Sequence, residues 1–439
     1  MEILTKILQF ILSISILVVL HEMGHFVFAK IFKTRVEKFY LFFDPWFSLF
    51  KVKKGETEYG VGWLPLGGYV KISGMIDESM DTKQMNQPPQ PYEYRSKPAW
   101  QRFFIITGGV LVNFILAMLI FIAVLYTWGE SYLPTNSLKY GVTVDSLAYE
   151  MGFRNGDKIL LVGGEEVEAF HQIVPQMVFD EAQAVTVERF GSRVDVPVEE
   201  RYISQILKSP YLFQPRFPME IGEVVKESAA SKAGIEVGDQ LLAINGFSAK
   251  YFDEFKDSAT FYAGKNFNIT MNRKGVPVNI EINVPQSGVI GVYSIQDMSK
   301  FFEIKVLEYS FLEAIPAGIE RGFSTISNYL KQLKMIFSPS TKAYESVGGF
   351  ITIGKIFPGV WDWQAFWGLT AFLSIMLAIL NILPIPALDG GHMIFLVYEM
   401  VSGRKPSDKF MEYAQIVGMM FILALVIFAN GNDIVKLFN

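Results

Sequence analysis

The stretch Val18-Val19-Leu20-His21-Glu22-Met23-Gly24-His25-Phe26-Val27-Phe28-Ala29 decides how the rest of the chain is read. It carries His-Glu-x-x-His inside an apolar segment running from Ile7 to Ala29. On a helix, residues four apart return to nearly the same face. His21 and His25 can therefore present two imidazoles to one metal ion, with Glu22 beside them facing a water on that metal. This is the donor set of a zinc hydrolase that takes its third ligand from elsewhere in the chain. The setting is a membrane, because the segment is long enough to cross a hydrocarbon core of about 30 Å. Ionisable side chains are costly at that depth and mark function by default. The bland alternative is a chance motif whose polar groups are satisfied by neighbouring helices.

Of 439 residues, 51% are hydrophobic, which suits a membrane protein with sizeable soluble parts. A net charge of −5 gives no sign of nucleic-acid binding. The absence of cysteine excludes a disulfide framework and a thiolate metal site. The first segment sits where a secretory signal would. Its small-x-small triplet, Ser13-Ile14-Ser15, lies inside the apolar run rather than after it, so the segment is expected to be retained. Four spans are expected, at 5–29, 103–128, 364–388 and 412–430. Lysine and arginine crowd the segment between the first two, and Arg404, Lys405 and Lys409 lie between the last two. The positive-inside rule makes both connections cytoplasmic, with the termini and residues 129–363 on the outer side.

Residues 57–72, Thr57-Glu58-Tyr59-Gly60-Val61-Gly62-Trp63-Leu64-Pro65-Leu66-Gly67-Gly68-Tyr69-Val70-Lys71-Ile72, mix β-formers with turn glycines and read as short strands and hairpins. Following the first span directly, they lie at the membrane surface close to the metal. Two readings stay open: a strand edge that pairs with an extended peptide by β-augmentation, or a structural cover for the cytoplasmic mouth. Met80 to Pro98 is polar and proline-bearing and reads as a surface loop.

Two segments in the soluble block rhyme. Ala148 to Gly164 and Ala230 to Gly246 both follow A-x3-G-φ-x-x-G-D-x-φ-φ-x-φ-x-G, with φ apolar. The pattern resembles the PDZ domain in its bacterial periplasmic form, which implies peptide-binding grooves; a pure spacer or size filter is the alternative. Glu313 to Met335 has a helical period of apolar residues and is expected to lie on the membrane or against the rest of the protein.

The third span ends Asn381-Ile382-Leu383-Pro384-Ile385-Pro386-Ala387-Leu388-Asp389-Gly390-Gly391-His392. Broken backbone at membrane depth is tolerated where it lines a cavity or site. Asp389 needs a partner there and is the natural third ligand. Asn381 offers an amide to a peptide backbone or an oxyanion. His392 and His171 are expected to play other roles.

His-Glu-x-x-His in the first span, Asn-x-x-Pro-x-Pro-x-Leu-Asp-Gly in a later one, and two PDZ-like repeats between the second and third spans together resemble the site-2 protease family. The resemblance covers essentially the whole chain. It implies a polytopic α-helical membrane protein with four transmembrane helices, a membrane-associated β-region after the first, and two PDZ-like α+β domains. It implies a zinc-dependent endopeptidase that cuts within the membrane, with one Zn2+ per chain on His21, His25 and Asp389, and Glu22 as general base. Asn381 carries over as substrate-binding, and so do Gly60, Val61, Gly62, Trp63, Gly67, Gly68 and Tyr69 as the substrate-pairing strand element. The implied partners are single-span membrane substrates (anti-sigma-factor-like proteins after a first cut, and remnant signal peptides), membrane lipid, and peptide ligands of the PDZ-like domains. The implied location is the bacterial inner membrane, with the active site towards the cytoplasm. The PDZ-like repeats are divergent, and Phe42 to Trp46 has no assigned counterpart. The expected division is 1–30, 31–100, 101–128, 129–220, 221–305, 306–363, 364–400 and 401–439. The competing reading is a membrane-anchored PDZ scaffold or a zinc transporter with a non-catalytic His-Glu-x-x-His.

Overall fold

The computed structural model describes residues 2–65, 67–75, 87–209, 211–295, 297–338, 341 and 343–438. Leu66, and residues 80–86 of the expected surface loop, lie outside the described residues. The chain forms two compact units. The first holds Met1–Gly129, Glu308–Lys334 and Val347–Asn439, and the second Glu130–Leu307 and Met335–Ser346.

Among the described residues of the first unit, four helices are long and apolar enough to cross a membrane: α1 (Glu2–Ile31), α2 (Ala99–Trp128), α3 (Trp363–Ile382) and, after a shorter α4 (Asp389–Ser402), α5 (Asp408–Phe438). A helix satisfies its own backbone donors and acceptors, as a single segment in hydrocarbon must. The backbones of α1 and α2 nearly touch. A Cβ on Gly24 would lie 2.2 Å from the Gly108 carbonyl oxygen. Small residues permit this approach, and close packing is a main source of helix association in lipid. Ala371, Ile375 and Ile379 of α3 pack on Ala117, Phe121 and Val124 of α2. Polar contacts pin the same helices: the Thr370 and Ser13 hydroxyls meet at 3.0 Å, and Ser374 donates to the Asn113 carbonyl at 2.8 Å.

The helix Phe311–Ile336 settles one open expectation. Its Ile326, Tyr329 and Leu333 join the apolar cluster of α2 and α3, so it leans on the protein's own helices.

The third span stops at Ile382, short of the expected Leu388. The residue before a proline is driven out of helical geometry, and Leu383 accordingly takes φ −59° and ψ 145° ahead of Pro384. Two more departures follow: Ala387 adopts a positive φ of 83°, and α4 begins at once with Asp389 in its first turn.

Between α1 and α2, strands β1 (Val36–Leu41), β2 (Phe43–Lys54), β3 (Thr57–Leu64) and β4 (Tyr69–Ile72) form one sheet in the order β2-β3-β1-β4. β1 runs parallel to β3 and antiparallel to β4, and β2 antiparallel to β3. This corrects the expectation of a substrate-pairing edge for Gly60 and Val61. All four residues of Gly60 to Trp63 belong to β3; Gly60 and Val61 pair with Tyr40 and Leu41 of β1 on one side and with Lys51 and Phe50 of β2 on the other, and Gly62 pairs with Ser48 of β2. The two glycines receive the chain's own groups instead. A Cβ on Gly60 would lie 2.3 Å from the Tyr40 ring, and one on Gly62 2.1 Å from the Phe43 carbonyl oxygen. Trp63 stacks with Trp46 and Phe47 and donates to the Pro45 carbonyl at 2.9 Å. β4 is bonded to β1 alone, and its other edge is unpaired among the described residues.

The second unit repeats one element order. A strand (Val142–Val144), a short helix (Ser146–Met151), a strand (Lys158–Val162), a helix (Ile173–Phe179) and a hairpin (Ala184–Arg189, Ser192–Pro197) come first. Ile221–Val224, Ala229–Ala233, Gln240–Ile244, Phe252–Phe261 and the hairpin Asn266–Arg273, Val276–Asn283 repeat it. Each copy has its own apolar core, around Phe153, Val185 and Val187 in the first and Ile221, Phe267 and Ile282 in the second. The aspartate of each Gly-Asp turn anchors its copy through an arginine on the hairpin. Arg189 grips Asp157 with two bonds of 2.8 and 2.7 Å and donates to the Gly152 carbonyl. Arg273 grips Asp239 at 2.8 and 2.7 Å and donates to the Gly234 carbonyl. The clamp ties hairpin, turn and helix end together.

Burial alone would raise the Asp239 carboxyl, but Arg273 and the Glu236 N–H hold it below the usual aspartate range. A carboxylate held low contributes stability above its unfolded value of about 3.9 and loses it as pH falls through the folded value. Asp239→Ala is therefore expected to cost about 3 kcal/mol, the lower end for a buried pair because Arg273 is partly exposed. Amide exchange over Gln240–Ile244 should speed up in the variant at neutral pH, and the gap to wild type should shrink below about pH 4. Equal exchange in the two at neutral pH would show that the clamp contributes little.

Candidate active site

His21 and His25 lie one turn apart on α1, both buried, with their Nε2 atoms 3.2 Å apart. The chain break after α3 delivers the third group. Asp389 Oδ2 lies 3.3 Å from His21 Nε2 and 3.5 Å from His25 Nε2. Its place in the first turn of α4 sets a carboxylate against the positive end of that helix.

These distances fit a metal. Tetrahedral zinc with ligands at about 2.0–2.1 Å spaces its ligand atoms about 3.3 Å apart. Two further observations agree. Asp389 Oδ2 is buried with no hydrogen-bond partner, an expensive state for a carboxylate that no cation meets. His25 donates its Nδ1 proton to the Ile105 carbonyl at 2.9 Å, which leaves a lone pair on Nε2 directed at the cluster. Among the described residues this is the one group of three such donors.

A cavity of about 880 Å³ opens on the cluster, a volume in the range of ligand sites. Glu22 lines it, and so does Val70 of β4. Gly67, Gly68 and Tyr69 line it too, whereas Gly60, Val61, Gly62 and Trp63 do not. The Asn381 amide nitrogen stands at its rim, 3.3 Å from His21 Nε2. Apolar walls come from Ile14 and Val18 of α1 and Met376 and Leu377 of α3.

The profile of peptidase family M50 matches residues 9–425. The chain belongs to peptidase family M50. Relatives of full length agree. The "Regulator of sigma E protease" of Haemophilus influenzae is 28% identical, over 100% of both chains. The "Regulator of sigma-E protease RseP" of Escherichia coli is 27% identical, over 98% of each. As an M50 member the chain is a zinc-dependent intramembrane protease of the site-2 type, acting on membrane proteins in regulated intramembrane proteolysis. Its apolar helices make it a multi-pass membrane protein. The scaffold and transporter readings give way to this membership.

The M50 site also holds residues that sequence reasoning passed over. Phe43, Asp44 and Pro45, from the stretch without an assigned counterpart, line the cavity. Tyr69 donates to Asp44 at 2.9 Å and stacks on Tyr40 with ring centres 5.2 Å apart, which stiffens the start of β4. Asn113 of α2 faces His21 at 3.2 Å. A buried asparagine in an apolar span was the available signal for it. His392 lines the cavity without joining the donor cluster.

Proposed function

We propose that His21, His25 and Asp389 hold the zinc ion of this protease, one per chain, and that Glu22 is its proton carrier. An extended stretch of a single-span substrate lies along β4. The observation that carries the reading is Glu22 in one cavity with the three-donor cluster and with Gly68, Tyr69 and Val70 at the start of β4. When bound, zinc acidifies a water and polarises a peptide carbonyl. Glu22 takes the proton from the attacking water and hands it to the departing amine. Asn381 donates its amide to the substrate's main chain or to the developing oxyanion. A peptide bond within a helix is shielded by its neighbours, so the substrate has to unwind locally. The unpaired edge of β4, entered through Gly67, Gly68 and Tyr69, replaces the hydrogen bonds lost. Helix-breaking residues in the substrate span favour cleavage.

We place PDZ-like domains at 129–220 and 221–305, supported by the repeated element order and the repeated aspartate–arginine clamp. The remaining divisions are 1–30, 31–100, 101–128, 306–363, 364–400 and 401–439. The Lys and Arg distribution supports termini and PDZ-like domains on the outer side of a bacterial inner membrane, with the active site towards the cytoplasm. So placed, the PDZ-like domains exclude substrates with bulky ectodomains or bind their peptide ends. The relatives' names, which tie them to sigma E, fit substrates of the anti-sigma-factor class; we propose that these have already lost their ectodomain, and remnant signal peptides fit the same requirement.

The test is cleavage of a single-span substrate in detergent, with its ectodomain intact or truncated, cut sites mapped by mass and zinc measured. Wild type should cut the truncated substrate within its span and hold about one zinc per chain. Asp389→Ala should lose both properties. Full zinc in Asp389→Ala would remove that residue from the ligand set. Cuts outside the span would remove the proposed substrate pose, and equal cleavage of both substrates would remove the ectodomain filter.

A further inference from the structure

We propose that Asn113 of α2 is a positioning residue for the metal centre. Its side-chain oxygen accepts the Nδ1 proton of His21 and so fixes that ring with the Nε2 lone pair facing His25 and Asp389. The inference rests on reading His21, His25 and Asp389 as zinc ligands.

Asn113 is 0% exposed. Its amide nitrogen stands 3.2 Å from His21 Nδ1, while its amide oxygen is buried without a partner. The two ends of a carboxamide have nearly the same shape, so hydrogen bonding decides which end faces which neighbour. His21 Nε2 is 3.2 Å from His25 Nε2 and 3.3 Å from Asp389 Oδ2, which places it inside the donor cluster. To bind a metal it must carry a lone pair, and the neutral ring then has its proton on Nδ1. An Nδ1–H opposite an amide NH2 sets donor against donor. Turning the amide brings the unpartnered oxygen to the proton and resolves the conflict.

The neighbouring ligand agrees. His25 is held in the corresponding way, its Nδ1 proton on the Ile105 carbonyl of α2. Both ligand rings are thus oriented from α2, one by a main-chain oxygen and the other by a side-chain oxygen. Such partners of metal-bound histidines fix ring and tautomer, and losing one typically weakens metal binding 10–100-fold. A residue needed only for packing would be replaceable by any side chain of its size. A positioning residue must keep an acceptor.

The full-length protein in detergent provides the test. Zinc affinity is measured by competition with a chromophoric chelator, and the Co2+-substituted protein gives an absorption spectrum of the site. Asn113→Leu, with the same number and branching of side-chain heavy atoms but without an acceptor, should bind zinc 10–100-fold more weakly and shift the Co2+ bands. Asn113→Asp keeps an oxygen towards His21 and should stay within about threefold of wild type. Wild-type affinity and spectrum in Asn113→Leu would overturn the proposal. So would a tenfold loss in Asn113→Asp, because the NH2 end would then be the one that matters. If Asn113→Leu fails to fold, the Asp variant decides alone. Wild type that binds no zinc would overturn the ligand reading itself, and this proposal with it.

Discussion

Glu22→Gln is expected to slow cleavage by about 10³- to 10⁴-fold while leaving zinc content unchanged. Glu22 is outside the group formed by His21, His25 and Asp389, so the metal does not depend on it. The glutamine amide keeps the shape of the carboxylate. It cannot take up a proton at neutral pH, and proton transfer is the role assigned to this position. Rates and zinc content are read on the same preparations. Cleavage within tenfold of wild type would transfer the base role to another group. Zinc loss in the variant would move Glu22 into the ligand set.

Gly109→Ala is expected to weaken zinc binding at least about 100-fold and to abolish cleavage with it, although the site itself keeps every donor. Gly109 lies on α2 directly behind the two histidines. A Cβ there would fall 2.4 Å from His25 Nε2 and 2.7 Å from His21 Cε1. The rings have nowhere to retreat, since Ile105 holds His25 from α2 and Asp389 meets both from α4. Helix propensity works in the opposite direction, favouring alanine by about 1 kcal/mol, so a loss cannot be charged to the helix. Gly368→Ala on α3 is the control, because a Cβ there meets nothing within 4 Å. Wild-type zinc affinity in Gly109→Ala, measured in chelator-buffered zinc, would show that the histidines have more freedom than this packing implies.

The sequence pointed to the candidate metal site because such a site depends on residue identity at short spacing. His21, Glu22 and His25 lie within one turn of one another, and Asp389 stands in a motif broken by two prolines. The apolar runs were legible for the same reason, as length and composition alone decide them. What the sequence concealed were relations between distant segments. Nothing along residues 57–72 reveals that β1 inserts between β3 and β4, yet this removes Gly60 and Val61 from the edge and leaves Tyr69 to Ile72 on it. Gly109 and Asn113 read as ordinary members of an apolar span until α1 is laid against them. The Asp239–Arg273 clamp joins residues whose proximity depends on the hairpin closing over the turn.

β4 is four residues long. At about 3.3 Å per residue, it can hold roughly 13 Å of a partner chain through main-chain atoms, which are the same in every polypeptide. So short a reading frame leaves little room for a sequence code. If substrates lie along β4 as proposed, selection falls instead on a physical property of the client, the free energy needed to fray its helix over about one turn. On that pose, proteins with unlike sequences share this enzyme, and a stable membrane helix with no weak turn is expected to survive beside it uncut.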